Sequence, residues 1–181
     1  MTSPDSSRFV AMSTAEQKAV TTAAASAHAN VEATYSYLQG LQRTSPRFKE
    51  WFGTPDATSA KTVSGVILRL AGGGSGLSTI PDFTFRREPE NKIQDGQARI
   101  GTVSPDTYGE VGLYPYFFTL PPLLQAGALV SLATQFTSTG ATATLAYDEG
   151  ACKMLAAKDP KEALRNADSY RHFVMNSTNL N

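Results

Sequence analysis

The run Ala71-Gly72-Gly73-Gly74-Ser75-Gly76 constrains this chain more than any other segment. Glycines in this density lose more backbone entropy in a helix or strand than packing returns, so the run marks a turn and divides the chain into halves. Before it the text is helical. Ser13-Thr14-Ala15-Glu16 can form a capping box, and Val20, Ala24, Ala27, Val31, Tyr35 and Leu38 recur at helical spacing, which predicts a long first helix closed near Gly40. Pro46 permits a second start, with Arg47 to Phe52 stopped by Gly53. A third helix from Ala57 to Leu70 carries Val63, Val66, Ile67 and Leu70 on one face.

After the turn the period changes. Asp82 to Arg86, Ala98 to Val103 and Gly109 to Tyr114 are short alternating segments, which predict a small, mostly antiparallel sheet. Helical spacing returns after Pro121-Pro122, around Leu124 to Phe136, Glu149 to Ala157 and Pro160 to Met175. Helices, small sheet, helices, with no repeat, is the order of an α+β fold. Residues 1–12, rich in Ser and Pro, read as a flexible N-terminal arm, and 13–181 as one domain.

A chain of 181 residues can bury a core without disulfide or metal staples. Its 16 Lys and Arg balance 16 Asp and Glu, which removes the cationic footprint of a general nucleic-acid or anionic-membrane binder. No apolar run approaches the roughly 20 residues of a membrane span. The N-terminus lacks the basic and apolar regions of a secretory signal, and a lone cysteine, Cys152, cannot form an intramolecular disulfide. A cytoplasmic protein is therefore expected, or a secreted one if a signal peptide has been removed.

Three stretches resemble a known family. They run from Tyr35-Ser36-Tyr37-Leu38 to Arg47-Phe48-Lys49-Glu50-Trp51-Phe52-Gly53, from Gly109 to Pro121 (GEVGLYPYFFTLP), and from Gln135 to Phe173, the last including Leu155-Ala156, Asp159-Pro160 and Asn166-Ala167-Asp168. They are similar to the peptidyl-lysine metalloendopeptidases, relatives of deuterolysin known as aspzincins, and the likeness covers nearly everything after Ser13. The resemblance implies a zincin-like metallopeptidase fold.

That family's machinery is a helix bearing HExxH followed by a GTxxDxxYG loop. Histidines one helical turn apart share a zinc, the Glu between them is general base to the zinc-bound water, and the loop Asp completes the site. Here the first pattern falls on Ser131-Leu132-Ala133-Thr134-Gln135, and the loop on Gly140 to Asp148 with Thr144 at the Asp position. The resemblance thus implies a zinc site erased at four positions, Ser131, Leu132, Gln135 and Thr144, with no catalytic residue, metal or other cofactor. Two positions match. Tyr147 corresponds to the tyrosine that stabilises the developing oxyanion, and Asp168 to the acidic residue that selects lysine. The alternative is that Tyr147 packs and that Asp168 caps or ion-pairs on the last helix. The family's disulfide cysteines are also missing, with Arg86-Arg87 and Tyr114 in their neighbourhoods.

Other signals are weaker. Gly101-Thr102-Val103-Ser104-Pro105-Asp106-Thr107-Tyr108-Gly109 imitates the loop motif, but with its Asp one place late and ahead of the catalytic helix; it reads as a turn leading into a strand. The only histidines are His28 and His172. His172 follows Asp168 by four residues, so the two either share a proton or metal or form a local helix pair. Cys152, His172 and Asp168 are the residue types of a thiol triad, but Cys152 shares a helical face with Leu155 and Ala156, as a buried hydrophobe would. Tyr114, Tyr116, Phe117 and Phe118 either line a cleft for sugar or peptide or pack beneath the catalytic helix. The ligand-binding candidates are therefore Tyr147, Asp168, Tyr114 and Tyr116. The expected function is an inactive peptidase homologue that binds a peptide, glycan, cationic group or protein partner. A defence or storage protein acting through its surface or assembly, and a residual hydrolase with non-zinc chemistry, are the alternatives. Partner identity and oligomeric state stay open.

Overall fold

The structure, a computed structural model, describes residues 6–40, 45–73, 77–94, 96–176 and 179. The helices are α1 (Thr14–Gln39), α2 (Pro46–Phe52), α3 (Ala57–Leu70), α4 (Pro122–Thr134), α5 (Glu149–Lys158), α6 (Pro160–Ala163) and α7 (Ala167–Met175). The strands are β1 (Phe9–Val10), β2 (Thr84–Arg87), β3 (Ile93–Gln94), β4 (Gln97–Ala98), β5 (Gly101–Val103) and β6 (Glu110–Leu113). This is the α+β arrangement expected from the sequence. The first helices begin where their capping residues say they should. Ser13 N–H donates to Glu16 Oε2 at 2.9 Å while Glu16 N–H donates to Ser13 Oγ at 3.3 Å, and Asp56 Oδ1 accepts from Thr58 and Ser59 at 2.8 and 2.7 Å to open α3.

Three expectations need correction. The main sheet, ordered β1-β2-β6-β5, is mixed rather than mostly antiparallel: β1 and β2 pair parallel, as do β2 and β6, and only β5 with β6 is antiparallel. Parallel neighbours need long crossovers, and α1 to α3 supply the one between β1 and β2. Strands β3 and β4 form a separate antiparallel hairpin. The supposed flexible arm does not extend to residue 12, because Phe9 pairs with Phe85 in the sheet and Phe9 and Met12 are buried; residues 1–5 lie outside the described residues, as do 74–76 of the glycine run.

The third correction is that Pro160 to Met175 is not one helix. Asn166, at φ −89° and ψ 117°, leaves the helical region between α6 and α7. Its side-chain oxygen accepts from Leu145 N–H at 2.9 Å and Ala146 N–H at 3.1 Å, and its amide donates to Ser169 Oγ at 3.0 Å. The flanking backbone brackets Ala143, with Ala143 N–H donating to Arg165 O and Ala167 N–H to Ala143 O, both at 2.9 Å. These bonds replace the helical ones that a continuous helix would have made.

Helix α4 runs through the middle, buried at every position from Gln125 to Thr134. It packs against α1 and α7, and α1 presents mostly small side chains among its buried residues, Val20, Ala23, Ala24, Ala27 and Val31, which let the helices approach closely. A second packing centre joins α2 to α7. Phe52 meets Tyr170 at 4.9 Å and Phe173 at 5.2 Å, and the buried Trp51 stacks on His172 at 4.7 Å. Arg47 binds this centre to the C-terminus of α7. Its Nε donates to Phe173 O at 2.8 Å, its Nη2 donates to Thr34 Oγ1 at 2.9 Å, and its guanidinium carbon lies 4.8 Å from the ring centres of both Tyr37 and Phe173. A cation at a helix C-terminus satisfies carbonyls that lack helical partners and opposes the negative end of the dipole.

Arg47→Met keeps much of the buried volume but removes the guanidinium bonds and leaves the Phe173 carbonyl with only the 3.3 Å bond from Asn176 N–H, so the unfolding free energy in denaturant should fall by about 1–3 kcal/mol. A loss well under 1 kcal/mol would mean that Arg47 does not clamp α7.

Candidate functional site

The C-terminal turn of α4 forms one wall of a cleft of about 390 Å³. Strand β5, at the edge of the main sheet, forms the wall opposite. The hairpin residues Gln94, Gln97 and Ala98 line it from one side, and residues 142–144, Tyr147, Asp168 and Arg171 complete it. Gly101 lets β5 close on α4: a Cβ there would stand 2.6 Å from Leu132 Cδ1 and 2.8 Å from the Gly112 carbonyl oxygen.

Each lining group is held by local bonds. The chain leaves α4 through a turn in which Thr139 Oγ1 donates to Ala133 O at 2.6 Å and Thr142 N–H to Thr134 O at 3.2 Å. The hydroxyls of Thr134 and Thr142 meet at 2.8 Å. Gln135 turns its amide towards Ser131 O at 3.4 Å. Asp168 has its side chain 3.6 Å from Arg171 Nη1. Burial pushes the Asp168 carboxyl above its ordinary value, with the Arg171 charge and the nearby Ser131 side chain acting the other way. Arg171 is itself anchored, its Nη2 donating to Tyr147 O at 3.0 Å. Its stem lies over Gly127 of α4, where a Cβ would stand 3.1 Å from Arg171 Cγ.

Ser131, Leu132, Gln135, Thr144, Tyr147 and Asp168 therefore line one cleft, although 37 positions of sequence separate the first from the last. Thr144 and Tyr147 are exposed at its rim, while Asp168 is only 5% exposed. The other two ligand candidates lie elsewhere. Tyr114 is buried and does not line the cleft; its backbone continues the β5–β6 pairing, with its N–H donating to Ile100 O at 3.0 Å. Tyr116 lines an adjoining groove with Leu120 and Leu124, which shares Gln97, Ala98, Ile100 and Arg171 with the cleft. Sequence reasoning missed Arg171 and Asn166. The spacing of Arg171, three residues after Asp168, was a signal for the first.

The remaining reactive groups are held in structural roles. His172 stacks on Trp51, and burial first, then the Arg171 charge, lower its pKa to about 4. Arg171 Nη2 lies 3.1 Å from His172 Nε2, an arrangement suited to a neutral imidazole accepting a bond. Cys152 is fully buried, receives a bond from Asn166 Nδ2 at 3.3 Å, and has its thiol pushed up to about 11 chiefly by burial; a thiol so placed is a poor nucleophile. His28 pairs with Glu32 at 3.5 Å within α1. In the sequence that imitates the loop motif, Gly101 to Val103 is β5 and the remainder turns into β6.

The family signature described as lysine-specific metallo-endopeptidase, Aspzincin, matches residues 37–175. This chain belongs to the aspzincin family. A solved zinc peptidase from Grifola frondosa superposes on it with a TM-score of 0.84 at 29% identity, covering 94% of this chain and all of the other. A peptidyl-Lys metalloendopeptidase of Grifola frondosa is 31% identical over 91% of this chain, and one of Pleurotus ostreatus 27% identical over 95%. The match spans 45% of the Grifola protein's own length and 98% of the Pleurotus protein's. An extracellular protease of Aeromonas hydrophila is 28% identical over 81% of the chain. These relatives give no support to the cytoplasmic expectation. Among the described residues no helix is long and apolar enough to cross a membrane.

Zinc is held by imidazole, thiolate or carboxylate donors. At the positions where the family motif falls, this aspzincin presents the hydroxyls of Ser131 and Thr144, the amide of Gln135 and the hydrocarbon of Leu132. Among the described residues Asp168 is the one carboxylate lining the cleft, and Arg171 lies against it. Among the described residues no three His, Cys, Asp or Glu gather as a metal site would need. These residues do not fit zinc.

The depressed value of His172 has a definite sign in stability. The unfolded chain binds the extra proton between its ordinary value of 6.5 and about 4, so stability present above that window is lost as pH falls through it, by about 2–3 kcal/mol. His172→Phe can keep the stack on Trp51 and should flatten this pH dependence relative to the parent in denaturant titrations. Parallel pH profiles for the two proteins would contradict a neutral, buried His172.

Proposed function

We propose that this aspzincin is a non-catalytic member of its family, a binding protein that holds a peptide in the cleft between α4 and β5. The observation that carries the reading is the joint replacement of the two metal-ligand positions, the base position and the third-ligand position at one cleft whose walls are still built. Hydroxyl and amide groups there offer no strong ligand to a metal, and Leu132 cannot take a proton from water.

Peptide is the favoured ligand because β5 is an edge strand that lines the cleft. An extended chain can add to such an edge through main-chain hydrogen bonds, with side chains read by the surrounding pockets. The relatives' names, peptidyl-Lys metalloendopeptidases, point to the same ligand class. The Tyr147 and Asp168 positions support recognition rather than turnover: Tyr147 is available at the rim, and Asp168 lies at the base of the cleft with Arg171 against it.

Two measurements on the purified full chain test this, both with blocked, fluorescent pentapeptides in the presence of added zinc. Mass spectrometry should show the peptides intact after prolonged incubation, and fluorescence anisotropy should show saturable binding. Cleavage that a chelator abolishes would overturn the non-catalytic reading; no saturable binding by any peptide would overturn the binding reading.

A further inference from the structure

Resting on that cleft-binding reading, we propose that the cleft prefers an acidic or neutral side chain to a lysine, because Arg171 already occupies Asp168 from within the chain. The carboxylate that the family resemblance assigns to lysine selection faces a guanidinium 3.6 Å away, on the next turn of the same helix. That guanidinium is fixed at three places. It reaches Asp168, it donates to the Tyr147 carbonyl, and its stem lies in the notch over Gly127. With only 18% of its side chain exposed, Arg171 cannot swing into solvent without abandoning these contacts.

The charges lining the cleft then sum in favour of an anion. Among the described residues, Arg99, Arg171 and Asp168 are the ionisable groups of the lining apart from Tyr147, and the Asp168–Arg171 pair cancels, which leaves Arg99. Asp148 acts on Asp168 from nearby, but its carboxylate caps α5 by accepting from Ala151 N–H at 2.7 Å and does not line the cleft. An incoming lysine would have to displace Arg171 from Asp168 and then sit beside two arginines. An incoming carboxylate breaks no ion pair, and the guanidinium fork suits it geometrically. The rest of the wall mixes apolar side chains such as Ile100, Val103 and Leu132 with neutral polar ones, among them Gln97, Thr102 and Gln135, which can accompany a carboxylate or an amide equally.

The test uses three blocked pentapeptides, Ala-Ala-Xaa-Ala-Ala with Xaa as Glu, Gln or Lys, titrated by anisotropy at low salt. The Glu peptide should bind the parent about tenfold more tightly than the Lys peptide, with Gln between. Arg171→Gln frees Asp168 and should reverse the order. Arg99→Gln, at an exposed position, should weaken the Glu peptide and narrow its advantage over the Lys peptide without reversing the order. A parent that prefers Lys, or that binds all three equally, overturns this inference while leaving the cleft-binding reading intact; a folded Arg171→Gln that keeps the Glu preference does the same. Absence of binding by all three peptides removes both. Should Arg171→Gln fail to fold, the order shown by the parent and by Arg99→Gln decides alone.

Discussion

Burial of α4 on all sides from Gln125 to Thr134 is the constraint from which the rest follows. A helix with no solvent face cannot leave polar or charged groups unpaired, since each would carry its full desolvation cost. Its last turn meets that requirement locally: Thr134 Oγ1 donates to the Ser131 carbonyl and meets the Thr142 hydroxyl, and Gln135 turns back on the helix. Leu132, 7% exposed, meets it by having nothing to satisfy. In this setting a glutamate at position 132 without a metal beside it would be a nearly buried carboxylate lacking a partner. Replacement of the whole set by hydroxyls, an amide and a hydrocarbon is therefore physically coherent, where replacement of one member alone would strand the others.

The second consequence is rigidity opposite α4. Helix α7 is pinned at its start by Asn166, which binds Leu145 and Ala146, and at its end by Arg47, which takes the Phe173 carbonyl. Between those clamps Phe173 and Tyr170 pack on Phe52, and His172 stacks on Trp51. Asp168 and Arg171 thus project from a helix fixed at both ends, and Arg171 in turn holds the Tyr147 carbonyl. Ordinary packing and hydrogen bonds hold the walls of the cleft in place.

Much of this was legible in the residues, and what was not has identifiable causes. Helix α1 announced itself by a cap and a 3.6-residue apolar stripe, and α3 by its stripe, because both are local signals. Strand direction was not local: alternation in Asp82 to Arg86 says which face is buried, but the parallel partners of β2 lie more than twenty residues away on either side, in β1 and β6. The break at Asn166 was hidden because its decisive bonds run to residues 20 and 21 positions upstream. Phe9 gave no warning, since a two-residue strand has no period and its burial comes from pairing with distant Phe85. At the site, resemblance placed six residues that the fold does bring into one cleft. Of the aromatic cluster, Tyr114 takes the packing alternative, its side chain being buried, and Arg171 carried no motif of its own, being recognisable only by its spacing from Asp168.

The claim on which all of this depends is that the site no longer holds zinc, and zinc content measures it most directly. The purified chain would be equilibrated with excess zinc, dialysed against zinc-free buffer, and its metal measured by inductively coupled plasma mass spectrometry against protein concentration. The account predicts zinc far below one per chain. One zinc per chain, retained through dialysis and removed only by a chelator, would contradict it.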